Sequence, residues 1–426
     1  MIRTTLPAVA LGLFTLVTLG YAADWPQWRG PNRDDVSKET GLLHEWPKDG
    51  PKLVWVCEEA GIGFSGPAIV GDRLYSMGAD DKDKKEYAFA LDIKNGKKLW
   101  SIEVGDLFTN FFGDGPRSTP TVDGEFVYCL GSNGDLLCVK AANGEKVWMT
   151  SLQKDLEGKV GHGWGSCESV LIDGDKLICT PGGKKGTLAA LEKKTGKVLR
   201  RTKDLEDTAS SASIVPAHIG GKSQYVQMTQ QSVVGVSSKD GKVLWRFPRK
   251  GSTAAIPTPI VNDHFVYVVS GYGVGCQLLD VTSAGDKLDV KEIYDKEKHR
   301  NMVNMHGGVV RVGDYLYGFC DGKGWACQKF DLGDLVWPEK DRTKLTGNSG
   351  SLTYADGHLY CYQDDGTVAL VEASPDGWKE TGRFSIPQKT KRPRKGSSIW
   401  THPVVANGKL YLRDQNLIFC YDVKGP

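Results

Sequence analysis

Little in this sequence points to a charged partner. Fifty-four Lys and Arg against 52 Asp and Glu leave a formal net charge of +2, which supplies no general reason to expect nucleic acid. No C-x-x-C accompanies a second ligand pair, so the spacing of a structural zinc site is missing and no metal site is expected. After Leu19 no segment is long and apolar enough to cross a bilayer as a helix. No window carries helical periodicity for more than a turn or two, which excludes helical bundles and α/β folds. A hydrolase or lyase using His162, His306 or His402 as general base would need a nucleophile or metal triad beside it, and none stands out.

What is present is a repeat. The stretch Ala90–Trp100 reads as an apolar strand end, a turn closing with Gly96, and a new strand opening at Lys98-Leu-Trp. The same turn glycine returns at Gly144, Gly196, Gly241, Gly285, Gly333, Gly377 and Gly425, 44 to 52 residues apart. Within one period lie four short apolar runs separated by Gly, Asp, Asn and Lys, as in Pro120–Val122, Phe126–Leu130, Leu136–Lys140 and Val147–Ser151. Four consecutive antiparallel strands per period, without helix, predict an all-β fold, a β-propeller of four-stranded blades.

The ends set the blade number. The eighth repeat, from Trp400 through Asp422, runs out before its outermost strand, while an unpaired copy of that strand, Lys52–Cys57, precedes blade one. Pairing the two predicts an eight-bladed ring closed by the N-terminal strand, with one axial pore and a monomer as the expected unit. The domain reading is a signal peptide over 1–23, an N-terminal strap over 24–51 and the propeller over 52–426. Arg3, the apolar run Leu6–Leu19 and the small residues Gly20, Ala22 and Ala23 have signal-peptide form, so a periplasmic or secreted protein is expected. The strap, Asp24-Trp-Pro-Gln-Trp-Arg-Gly-Pro-Asn-Arg33, reads as a cover over one face through Trp25 and Trp28, with a ligand-contacting arm as the alternative. Trp55, Trp100, Trp148, Trp245 and Trp337 recur at the start of outer strands, with Arg200 in their place in blade three, and are expected to pack between blades.

Ten Cys would be unusual to keep free in an oxidising compartment. A two-residue turn at Asn133-Gly134 would set Cys129 opposite Cys138 at a non-hydrogen-bonded position, where a cross-strand disulfide fits; two buried thiols are the alternative.

Aligning the innermost strands puts Phe64, Arg117, Cys167, Ile256, His306, Ser349 and Trp400 in one column at the mouth of the ring, with blade four not aligning cleanly. Glu168 falls in the next column and His402 just beyond, and His162 and Trp164 lie just upstream of theirs. Arg117, Glu168, His306, Trp400, His402, His162 and Trp164 are therefore the candidate ligand-binding residues. Leu107–Phe112, with three Phe, and the basic run Lys389–Lys395 enter the same mouth.

The motif Ala90-Leu-Asp-x-x-x-Gly-Lys-x-x-Trp100 resembles the repeat of the pyrroloquinoline-quinone (PQQ) propellers, along the whole chain after the signal. The WPQWRGP arm likewise resembles exported bacterial PQQ-like propeller proteins. The resemblance implies one of two branches. One is a cofactor-free scaffold like the propeller subunit of the outer-membrane β-barrel assembly machinery, binding a protein partner or a small ligand at the mouth. The other is a quinoprotein alcohol dehydrogenase with PQQ and calcium at the axis, where Glu168 would help hold the calcium. Those dehydrogenases carry adjacent paired Cys, and this chain has no Cys-Cys and no C-x-x-C-H haem attachment. The reading is thus an exported binding scaffold, with the dehydrogenase as alternative.

Overall fold

The computed structural model describes residues 24–251, 254–284, 287–341, 345, 347–392 and 398–426. The expected signal peptide lies outside the described residues, as do Gly285 and the end of the basic run.

Eight sheets follow one another along the chain. Blade one comprises Ala68–Val70, Arg73–Asp80, Lys85–Asp92 and Lys98–Asp106, each strand antiparallel to the next. The last blade comprises Val404–Ala406, Lys409–Asp414 and Leu417–Asp422, and its outer strand is Lys52–Cys57, with Lys52 opposite Asp422 and Cys57 opposite Ile418. The ring closes as the repeat implies. Blade six departs from the pattern: it has three strands, Val309–Val312, Tyr315–Cys320 and Gly324–Lys329, and its fourth is reduced to a bridge between Gln328 and Leu335.

Apolar packing lies between blades, face against face. Leu177 and Cys179 of blade three meet Tyr128 and Trp148 of blade two, and comparable clusters fill every other seam, including the closing one, where Trp55, Ile418 and Cys420 meet Leu74 and Phe89. The repeat's glycine and tryptophan explain each other here. Gly96, Gly144 and Gly196 have φ of 70, 74 and 74, the left-handed region that favours glycine. A Cβ at these positions would also sit 2.5, 2.7 and 2.6 Å from the rings of Trp55, Trp100 and Trp148 in the preceding blade. Each indole N–H then donates to a carbonyl of the neighbouring blade: Trp55 to Ile93, Trp100 to Ala141, Trp148 to Lys193 and Trp337 to Ser374. In blade three the Arg200 guanidinium reaches the Ser238 and Lys239 carbonyls instead. In blade five Tyr294 donates to Phe330 of blade six, a substitution that the drifted repeat concealed.

The expected Cys129–Cys138 disulfide does not form, and all ten Cys are free. Leu130 pairs with Leu136 and Gly131 N donates to the Asp135 carbonyl, so the turn has three residues, Ser132–Gly134, with Gly134 at φ 90. Cys129 therefore faces Leu137 and Cys138 faces Tyr128. A one-residue slip moves a side chain to the other face of a sheet: Cys129 packs towards blade one and Cys138 towards blade three.

The strap does more than cover one face; it fills the pore expected at the axis. Trp25 bridges Ile69 of blade one, and Pro26 accepts from Val122 of blade two. Arg33 donates to the carbonyls of Ser169, Val170 and Ile214 in the blade three and four inner segments. Trp28 reaches Thr258 beside blade five, and Arg29 reaches Gly307 and Val309 at blade six. Val36–Ser37 adds a parallel strand to blade seven, and Glu39 accepts from Asn407 and Gly408 of blade eight. Inner strands have one unpaired edge, whose buried carbonyls need donors; the two arginines, 1% and 2% exposed, provide them. Arg29, Arg33 and Asp35 have φ of 61, 59 and 58, an unusual conformation for side-chain-bearing residues that the surrounding hydrogen bonds hold.

Candidate functional site

At the end of the ring where the innermost strands begin, a cavity of about 470 Å3 opens above the strap. Two sets of loops frame it: those that lead from one blade into the next, and the hairpins joining second and third strands. Of the seven residues singled out from the sequence, Arg117, Trp164, His306, Trp400 and His402 line it. Glu168 and His162 stand behind its wall.

Trp28 of the strap forms part of the cavity lining, edge-on to His402 with ring centroids 4.5 Å apart. His306 lies 5.4 Å from His402 and 5.2 Å from Trp400, both T-shaped. His402 is tied from below: its Nε2 donates to the His306 carbonyl at 3.0 Å, and its Nδ1 is 4.0 Å from Asp35, which pairs with Arg29 at 3.2 Å. Burial pushes the Asp35 carboxyl up to about 7, against the pull of Arg29. Burial pushes His402 well below its ordinary value and His306 down to about 4, so both imidazoles are neutral at pH 7. His306 is 5% exposed and neither of its ring nitrogens has a hydrogen-bond partner of good geometry.

Arg117 is the cation of the wall, and its charge is already engaged. Its guanidinium lies over Phe64 and Phe108 at 5.4 and 5.0 Å and donates to the Gly115 and Gly113 carbonyls. Asp364, the carboxylate of the wall, accepts from Asn348 N at 3.0 Å and Ser398 Oγ at 3.1 Å. The rim is aromatic: Phe111, Phe112 and Tyr272 are 81, 44 and 54% exposed, and Phe112 meets Trp164 edge-on at 5.9 Å.

Glu168 is a wall support. It accepts from Thr180 N at 2.7 Å and Gln227 Nε2 at 3.3 Å, and burial raises its pKa to about 7, opposed by those Thr180 bonds and by Arg33. His162 Nδ1 accepts the Trp164 N–H, which leaves Nε2 protonated and donating to Ser211 Oγ at 3.1 Å. That tautomer cannot take the Ser211 proton, so the pair is not a nucleophile with its base. In the basic run, Arg392 pairs with Asp81 at 2.8 Å, and 393–397 lie outside the described residues.

Tyr272 and Asp364 escaped the sequence reading because only the loops between blades were aligned, whereas both belong to hairpins within a blade. The available signal was the same period, applied to the second-to-third strand turn.

Residues 84–318, more than half of the chain, match the family described as outer membrane protein assembly factor BamB. The curated BamB of Pseudomonas aeruginosa is 28% identical over 103 residues, a match spanning 23% of this chain and 26% of that protein. Among solved structures, BamB from Moraxella catarrhalis superposes with a TM-score of 0.55 at 15% identity, over 86% of this chain and 97% of its own. The quinohemoprotein alcohol dehydrogenase of Comamonas testosteroni superposes with a TM-score of 0.66 at 12% identity, over 95% and 81%. At those identities the structural likeness is one of fold.

The cavity does not fit the quinone and calcium of the dehydrogenase alternative. Among the described residues no three His, Cys, Asp or Glu side chains cluster to hold a metal. A calcium ion needs six or more converging oxygens, whereas Asp364 is engaged with Asn348 and Ser398, and Glu168 points away into the wall. The arginine that an anionic quinone would call on is spent on loop carbonyls.

Proposed function

Because the chain belongs to the family described as outer membrane protein assembly factor BamB, we propose that it is an exported scaffold, acting as a monomer, that receives a polypeptide partner at the aromatic mouth of its ring. The carrying observation is the rim: Phe111, Phe112 and Tyr272 stand exposed around a cavity whose floor the strap has closed. Exposed aromatics grouped at a rigid concave site mark a binding surface rather than a packing residue. A closed floor makes the mouth a dead-ended receptor, with no passage through the ring.

The test is site-specific photocrosslinking. A benzophenone side chain at Phe111 is to be compared with one at Leu199, which is 52% exposed on an outer strand of blade three. With an unfolded outer-membrane β-barrel polypeptide as probe, adducts at Phe111 and none at Leu199 support the reading. Adducts only at Leu199, or at neither position, refute it.

A further inference from the structure

One charge in the mouth has no counter-charge. Asp364 opens the turn after the second strand of blade seven, His358–Gln363, lines the cavity and is 4% exposed. Its Oδ1 accepts from Asn348 N at 3.0 Å and its Oδ2 from Ser398 Oγ at 3.1 Å, and both donors are neutral. A carboxylate has about four lone-pair sites, so one site on each oxygen is left over. Among the described residues Asp364 has no ion pair. Ile399 N donates to its backbone carbonyl at 2.9 Å, which holds Trp400 beside the same turn.

The other formal charge of the wall is already matched. Arg117 lies over Phe64 and Phe108, donates to the Gly113 and Gly115 carbonyls, and has Glu86 and Asp114 close enough to counter it. Much of the remaining lining is aromatic, with the indoles of Trp28, Trp164 and Trp400 and the rim rings of Phe111, Phe112 and Tyr272. A carboxylate among aromatic faces is the chemistry that holds an organic cation: the rings attract the charge through their quadrupoles, and the carboxylate pairs with it. A divalent metal ion would need several more oxygens than Asp364 brings. A neutral or anionic group would leave the carboxylate unpaired in a largely apolar space. Of the cations a polypeptide carries, a guanidinium fits best. It is planar, stacks on aromatic faces and is more weakly hydrated than an ammonium, and it offers two parallel N–H donors to the free site on each Asp364 oxygen.

On the reading that the mouth receives a polypeptide, we infer that the cavity is a receptor for an arginine side chain, its guanidinium paired with Asp364 between the aromatic walls. Phe111 and Tyr272 on the rim contact the residues flanking that arginine, so the ligand is a chain and not a free guanidino compound.

The experiment is calorimetric titration of the whole protein with Gly-Leu-Arg-Leu-Gly capped at both ends, the same peptide with citrulline or lysine at its centre, N-acetyl-argininamide and maltotriose. Citrulline keeps the length and planarity of arginine and lacks its charge. The arginine peptide is expected to bind about 10- to 100-fold more tightly than the citrulline peptide, the size of charge-assisted hydrogen bonds to a buried group. Asp364→Asn, checked for an unchanged melting temperature, should erase that ratio while the citrulline peptide still binds; a ratio that survives in the folded variant overturns the role of Asp364. Equal affinity of the unmodified protein for the arginine and citrulline peptides overturns the inference and leaves the crosslinking result at Phe111 standing. Lysine bound as tightly as arginine overturns the guanidinium assignment. N-acetyl-argininamide bound as tightly as the arginine peptide overturns the role of the rim in favour of a free guanidino compound. Binding of maltotriose with none of any peptide overturns the inference in favour of a saccharide.

Discussion

Arg33 is where the strap's contribution can be measured. Its guanidinium donates to the Ser169, Val170 and Ile214 carbonyls and its Nε to Gln27, at 2% exposure. Burial lowers its pKa to about 10, with Glu168 opposing. Arg33→Ala leaves Val170 with a donor, since the Thr121 hydroxyl also reaches it at 2.7 Å, but removes the side-chain donors shown for Ser169 and Ile214. Two orphaned buried carbonyls cost about 1–3 kcal/mol each, and relief from burying a cation returns part of that. The net loss expected is about 3 kcal/mol. With an unfolding entropy of about 2.1 cal/mol/K per residue over roughly 400 residues, this lowers the melting temperature by about 3–4 °C. Arg33→Met separates volume from hydrogen bonding, because it fills the space and donates nothing; it should lose nearly as much. Differential scanning calorimetry at pH 7 reads both. If Arg33→Met melts with the unmodified protein, carbonyl satisfaction is not what holds the strap.

Trp148→Ala, which empties the seam between blades two and three, should cost about 3–5 kcal/mol in urea unfolding. Val147→Ala beside it, 37% exposed, should stay within about 0.5 kcal/mol; equal losses would contradict the seam assignment. Glu168 titrates near 7 in the fold against an ordinary 4.5, so its neutral form stabilises the protein below about pH 4.5 and that contribution is lost as pH rises through 7. Glu168→Gln should therefore gain on the parent protein between pH 5 and pH 8, by up to about 3 kcal/mol, and a pH-independent difference would show the carboxyl to be ionised throughout. Thiol titration in denaturant without reductant should count ten free thiols; a shortfall of two would restore a disulfide.

The repeat was legible because its information is local. A positive-φ glycine closing a turn and an indole one blade away recur with the period at Gly96, Gly144 and Gly196, while Arg200 and Tyr294 take the indole's place against Gly241 and Gly333. The missing eighth outer strand and the surplus Lys52–Cys57 followed from the same arithmetic. Hairpin register was less secure, since Asn133-Gly134 suits a two-residue turn and the chain makes a three-residue one, which turned Cys138 away from Cys129.

By itself, the order of residues determined the eight blades, their closure and the end of the ring at which Arg117, His306, Trp400 and His402 gather. Only the tertiary structure decided what those residues do. Arg29 and Arg33 recognise backbone carbonyls far along the chain, and a carbonyl carries no side-chain signature that a sequence can display. The same is true of His306: its burial against Trp400 and His402, which lead into a different blade, is a property of three dimensions alone.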